Sequence, residues 1–144
     1  MNPKILKLLM HLRENSRETL TSISKKTNIP ISTLFDMLKE LDGNIILKNT
    51  VLLNFSKLGY HTRAQVLLKV NKEQRDSLRK HLECYNNVNT IYKVNNGWDF
   101  MIETVHGNVK ELDEFLESLD KYNLENKNIY YLIEEVKKEK FECG

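Results

Sequence analysis

Two patterns predict an α+β fold for this 144-residue chain. Residues 1–41 carry three successive apolar stripes at helical spacing, the second and third meeting at a sharp joint, Asn28-Ile29-Pro30. Residues 61–136 then repeat the order strand, helix, strand twice. The chain therefore reads as two domains, a helical one over residues 1–60 and a mixed one over residues 61–144.

In the opening segment Ile5, Leu8, Leu9 and Leu12 fall at i, i+3, i+4 and i+7, one apolar stripe on a helix of about three turns. Thr19 is placed to cap a second helix containing Leu20 and Ile23, which runs through Lys25 and Lys26 and ends at Asn28, a residue type that tolerates the left-handed conformation of a helix end. Pro30 cannot continue that helix, but near the first turn of the next one its missing N–H costs nothing. The third helix has Ile31, Leu34, Leu38 and Leu41 on one face and presents Ser32, Thr33, Phe35, Asp36 and Lys39 on the other. A short turn between two helices, the second with small hydroxyl residues at its N-terminal end, matches the helix-turn-helix geometry that enters the DNA major groove. The stretches "IILK" and "VLLN" flank Asn49-Thr50 and predict a β-hairpin wing with Lys48 near its tip.

In the second domain "HTRAQVLLKV" alternates, with Ala64, Val66, Leu68 and Val70 on one face. Asn71 and Gln74 supply an N-cap and its N3 partner for a helix carrying Leu78 and Leu82, followed by a strand over Val88 to Val94. The order recurs as a strand from Trp98 to His106, a cap at Asn108 with Glu111 at N3, a helix with Leu112, Phe115, Leu116 and Leu119, and a strand from Ile129 to Val136. This is βαββαβ, the ferredoxin-like arrangement. Its fourth strand has Ile129, Tyr131 and Ile133 on one side and Tyr130, Leu132 and Val136 on the other, and its third sets Phe100 and Ile102 against Met101 and Val105. Two apolar faces on a sheet with helices on one side imply a second covering layer, most economically the same sheet of another copy, so a homodimer is expected.

Composition narrows the function. With 40% hydrophobic and 29% charged residues the chain is globular in balance, and no apolar run reaches the ~18 residues that would cross a bilayer, so no membrane association is expected and the protein is read as cytoplasmic. Cys84 and Cys143 are too few for a disulfide framework, and His11, His61, His81 and His106 lack zinc-site spacing. Neither a metal nor another cofactor is expected, and no phosphate-cradling glycine loop or nucleophile elbow is present. Residues 1–60 hold nine Lys/Arg against five Asp/Glu, while residues 61–144 hold thirteen against fifteen, so the positive balance sits with the helical domain and suits an anionic partner.

Three stretches carry a family resemblance along nearly the whole chain: "LTSISKKTNIPISTL", "IILKNTVLLNFSKLGY" with Leu58-Gly59 leading into the first strand, and "NNGWDFMIETVHGNVKELDEFLESL". Their order and spacing resemble the Lrp/AsnC, or feast/famine, transcriptional regulators, which join a helix-turn-helix to a sensing domain. The resemblance implies binding to double-stranded DNA, dimers that often assemble into octamers, and a small effector, usually an amino acid, held near the turn between strands two and three. Here that turn is Asn95-Asn96-Gly97-Trp98-Asp99, so Gly97, Trp98 and Asp99 are the implied effector residues. Glycine allows the tight turn, and an aspartate accepts hydrogen bonds from an ammonium group.

At the DNA, Ser32, Thr33 and Lys39 would reach bases, with Asp36 able to accept from cytosine N4, while Arg17, Lys25, Lys26 and Lys48 would contact phosphates. Phe35-Asp36 stands where many relatives have arginines. Two alternatives use the same scaffold. "GWDFMIETVHG" is loosely similar to the third strand of siroheme decarboxylases, but Asn89-Thr90-Ile91 holds no histidine where those enzymes tend to have one. Asp36 and Glu40 on the third helix would instead suit a protein that binds other proteins rather than DNA.

Overall fold

The structure, a computed structural model, describes residues 2–142, which leaves Cys143 outside the described residues. Two compact units emerge: Leu53–Glu135, and Met1–Leu52 together with Val136–Gly144. The sequence reading divided the chain once, near residue 60; here the C-terminal segment returns to the helical unit.

That unit holds α1 (Pro3–Glu14), α2 (Leu20–Thr27) and α3 (Ile31–Leu41). Each start follows from its residues. Asn2 accepts from the Lys4 N–H and Pro3 fills the first helical position, whereas Thr19 Oγ1 accepts the Ser22 N–H at 3.1 Å. Leu8, Leu9, Ile23, Ile29, Leu34 and Leu41 form the buried core, with Ile5, Leu12, Leu20, Met37, Leu38 and Ile46 packed around it. One expectation is corrected: Ile31 is 47% exposed, because Ile29 in the turn fills the core position that the helical stripe assigned to Ile31. In the C-terminal segment Glu139 and Phe141 offer carbonyls to the Arg13 guanidinium at 3.1 Å each.

The wing is also corrected. Residues 45–54 contain no paired strands, and Leu47 is 87% exposed. The sole ladder contact there is a bridge between Asp42 and Ile46, shaped by Gly43 at φ +76°. A two-residue hairpin loop through Asn49-Thr50 would put Thr50 at positive φ, which a β-branched residue resists, and an isolated two-stranded hairpin is marginal in any case.

The second unit begins with a short 3₁₀ turn, η1 (Phe55–Leu58), and continues as β1 (Thr62–Lys69), α4 (Arg75–Cys84), β2 (Val88–Lys93), β3 (Phe100–His106), α5 (Val109–Ser118) and β4 (Asn126–Tyr131). The four strands pair antiparallel in the order β2-β3-β1-β4, the ferredoxin-like topology. Register places Val66 opposite Ile102 and Leu68 opposite Phe100, and these pack with Leu78, Leu82, Leu112, Phe115, Leu116 and Leu119 from the helices. Asn108 caps α5 through the Glu111 N–H, and Glu111 accepts in return from Gly107. Asn71 accepts the Gln74 N–H, but the turn it closes precedes α4, whose first residue is Arg75.

The fourth strand differs from the expected Ile129 to Val136. It starts at Asn126, opposite Lys69, and ends at Tyr131, opposite Ala64; the Leu132 N–H to Arg63 carbonyl bond is the last rung. Ile133 and Val136 therefore lie beyond the sheet. The sheet's open face is mixed rather than apolar. Leu67 and Met101 are half-buried, whereas its centre is an ion pair between Arg63 and Glu103, with Glu135 at 2.9 Å from Arg63, Asn89 donating to Glu103 at 2.8 Å, and the Phe55 ring beneath the guanidinium.

On the helix side His106 is buried against Phe115, and His81 sits between Tyr85 and Tyr122. Burial lowers both histidines below the ordinary value of 6.5; Lys121 pushes His81 down further, and Glu111 partly opposes the shift at His106. The unfolded chain then binds more protons than the folded one below about pH 6.5, so stability is intact above that pH and declines as pH falls through the depressed values. Thermal melting at pH 7.5 and pH 5.5 should show a drop in Tm on acidification, and His106→Leu should shrink that drop.

Candidate functional site

The first candidate surface is the exposed face of α3. Ser32, Phe35, Asp36 and Lys39 are all exposed and fall at i, i+3, i+4 and i+7, a single stripe opposite buried Leu34 and Leu41. Thr33 is half-buried at its edge. The preceding joint holds the helix at a fixed angle. Asn28 adopts φ 59° and ψ 23°, its N–H bonds the Ser24 carbonyl at 2.9 Å, and Ser24 Oγ donates to the Ile29 carbonyl at 2.6 Å. With Ile29 buried, the turn is tied both by hydrogen bonds and by packing.

Lys25 and Lys26 lie in the last turn of α2, where the helix dipole favours cations. Lys25 is exposed, but Lys26 Nζ bonds Glu18 Oε1 at 3.0 Å. Glu18 also accepts from Ser22 and contacts His11 at 3.3 Å; Lys26, ahead of His11, holds its carboxyl below the ordinary carboxylate value. The sequence reading treated Lys26 as a free cation and missed Glu18, whose position just before the Thr19 cap was its one visible signal. Arg17 and Lys48 are both exposed, one in the α1–α2 loop and the other in the strandless segment after α3.

The second candidate is the β2–β3 turn. Asn96 at φ 62° and Gly97 at φ 87° make two successive left-handed residues, closed by the Trp98 N–H to Asn95 carbonyl bond. Trp98 is half-buried. Asp99 serves as a local anchor: Oδ2 accepts the Val70 N–H at 2.8 Å and Oδ1 meets the Arg75 guanidinium at 2.9 Å. Arg75 lies far from Asp99 in sequence, so nothing in the chain announced the pairing. Each carboxylate oxygen keeps a second acceptor position. Asp99→Ala, which leaves the Val70 N–H and the Arg75 guanidinium without their partner, should cost about 1–3 kcal/mol in urea unfolding.

Among the described residues no group of three or more His, Cys, Asp or Glu side chains could hold a metal, and no helix is long and apolar enough to cross a membrane.

No family model matches the chain. Over 96% of its length it is 28% identical to an uncharacterized HTH-type transcriptional regulator of Pyrococcus furiosus, 93% of which is covered. A transcriptional regulator of Neisseria meningitidis, solved in complex with L-Met, has the same fold with a TM-score of 0.88 at 17% identity, covering 96% of this chain and 93% of that one. An AsnC family transcriptional regulator from Agrobacterium tumefaciens superposes with a TM-score of 0.85 at 16% identity, covering 96% and 94%. The chain thus has the two-domain fold of the Lrp/AsnC regulators.

Proposed function

We propose that this chain is a DNA-binding transcriptional regulator of the Lrp/AsnC type, with α3 as its recognition helix. The observation that carries this is the tied Asn28–Pro30 turn, which presents Ser32, Asp36 and Lys39 on one exposed stripe beside the exposed cation Lys25. Its sequence relatives are HTH-type transcriptional regulators rather than enzymes, which supports this reading over a decarboxylase on the same scaffold.

In this reading Ser32, Thr33 and Lys39 contact bases, and Asp36 accepts from cytosine N4. Arg17, Lys25, Lys26 and Lys48 contact phosphates and set register without reading sequence. Lys26 contributes least, since Glu18 already offsets its charge. A single small module gives modest affinity, so two copies act together. The open face of the sheet is the proposed dimer surface, where Leu67 and Met101 surround the Arg63–Glu103 pair. Two recognition helices would then read half-sites roughly 34 Å apart, one turn of the duplex.

The β2–β3 turn is the proposed effector site. The Neisseria meningitidis neighbour was solved with L-Met, which supports an amino acid or a related small molecule as the effector class. Gly97 keeps the turn tight, Trp98 offers an apolar wall, and the unused acceptor positions of Asp99 suit an ammonium group.

The test is DNA binding as a function of salt. Lys25→Ala should weaken binding to all duplexes alike and lower the salt slope by about one, whereas Ser32→Ala or Thr33→Ala should change base preference while leaving that slope in place. Equal losses on every sequence from all of these variants would remove α3 as a reading helix.

A further inference from the structure

The exposed stripe of α3 includes an apolar pair that the polar readout leaves unexplained. Ile31 is 47% exposed and Phe35 is 58% exposed, and they stand one helical turn apart at i and i+4. Neither belongs to the helical unit's core, whose turn position is filled by Ile29. Leaving about half of each side chain in water forgoes part of the ~1.5–3 kcal/mol that full burial of each would contribute. They also occupy the N-terminal half of the helix that follows the turn, the part of a recognition helix that meets base edges.

We infer that Ile31 and Phe35 are specificity residues that read thymine methyl groups in the major groove. The inference rests on α3 being the recognition helix and goes on to name the chemistry it reads. Thymine is the one standard base whose major-groove edge carries a methyl group, and apolar side chains recognise it by contact. Charge complementarity favours duplex DNA as the occupant: residues 1–60 carry nine Lys/Arg against five Asp/Glu, among them exposed Lys39 on α3 and exposed Lys25 at the end of α2. Four residues of helix rise ~6 Å, against ~3.4 Å per base-pair step, so the two side chains reach methyls on base pairs about two steps apart. Asp36 sits beside Phe35 and repels phosphate oxygens, which confines this part of the helix to base edges rather than backbone.

The test compares duplexes selected from a random pool with the same duplexes synthesised with deoxyuridine for thymidine at single half-site positions, which deletes one methyl and alters no hydrogen bond. Binding by the full-length protein should weaken about fourfold for each contacted methyl removed. In Ile31→Ala and in Phe35→Ala, one of the two sensitive positions should bind thymine and uracil alike, with Tm only slightly lowered because neither side chain belongs to the buried core. Specific binding that is indifferent to uracil at every half-site position overturns the inference and leaves α3 as a polar reader. Methyl sensitivity that survives in both variants overturns it as well. If the intact protein binds no duplex specifically, the reading of α3 as a recognition helix fails and takes this inference with it.

Discussion

The direction of α3 depends on three consecutive residues. Asn28 accepts a left-handed backbone that turns the chain out of α2, Ile29 drives its side chain into the core, and Pro30 prevents α2 from continuing. The Ser24 hydroxyl closes the arrangement on the Ile29 carbonyl. Because Ile29 occupies the core, Ile31 does not, and the stripe that α3 shows to solvent is fixed by what its predecessor buries. Sequence, packing and the proposed reading surface are joined at this point.

The sheet unit is organised around a different constraint. Its helix side is a closed apolar core, whereas its open side concentrates charge at one place, the Arg63–Glu103 pair with Glu135, Asn89 and Phe55 around it. A salt bridge within the chain, set among half-buried Leu67 and Met101 on this mixed face, adds little stability over an apolar isostere, because desolvation offsets much of its attraction. At the other end of the sheet Asp99 ties the β2–β3 turn to the end of β1 and the start of α4. A molecule that pulled on Asp99 would act on both elements at once.

Much of this was legible in the chain because it rests on local chemistry. Thr19 and Asn108 cap the helices they were expected to cap, Asn28 takes the left-handed end, and the alternation of Ala64, Val66 and Leu68 gives the buried face of β1. What was not legible depends on partners distant in sequence. The extent of β4 is set by how far it pairs with β1, the role of Asp99 by Arg75, and the pairing of Lys26 by Glu18. The wing failed for a local reason that the apolar runs obscured: "IILK" and "VLLN" have strand composition, but Asn49-Thr50 lacks the glycine that a tight hairpin loop wants. Ile31 was misplaced because a helical stripe cannot register that the residue before the helix competes for the same core position.

Selection of bound duplexes from a random DNA pool at roughly physiological salt, where nonspecific phosphate contacts are weakened, tests the central claim most directly. The account predicts enrichment of a palindrome whose half-sites lie about one helical turn apart, as two copies of α3 on one face of the duplex require. A folded protein that enriches no sequence under those conditions would contradict it.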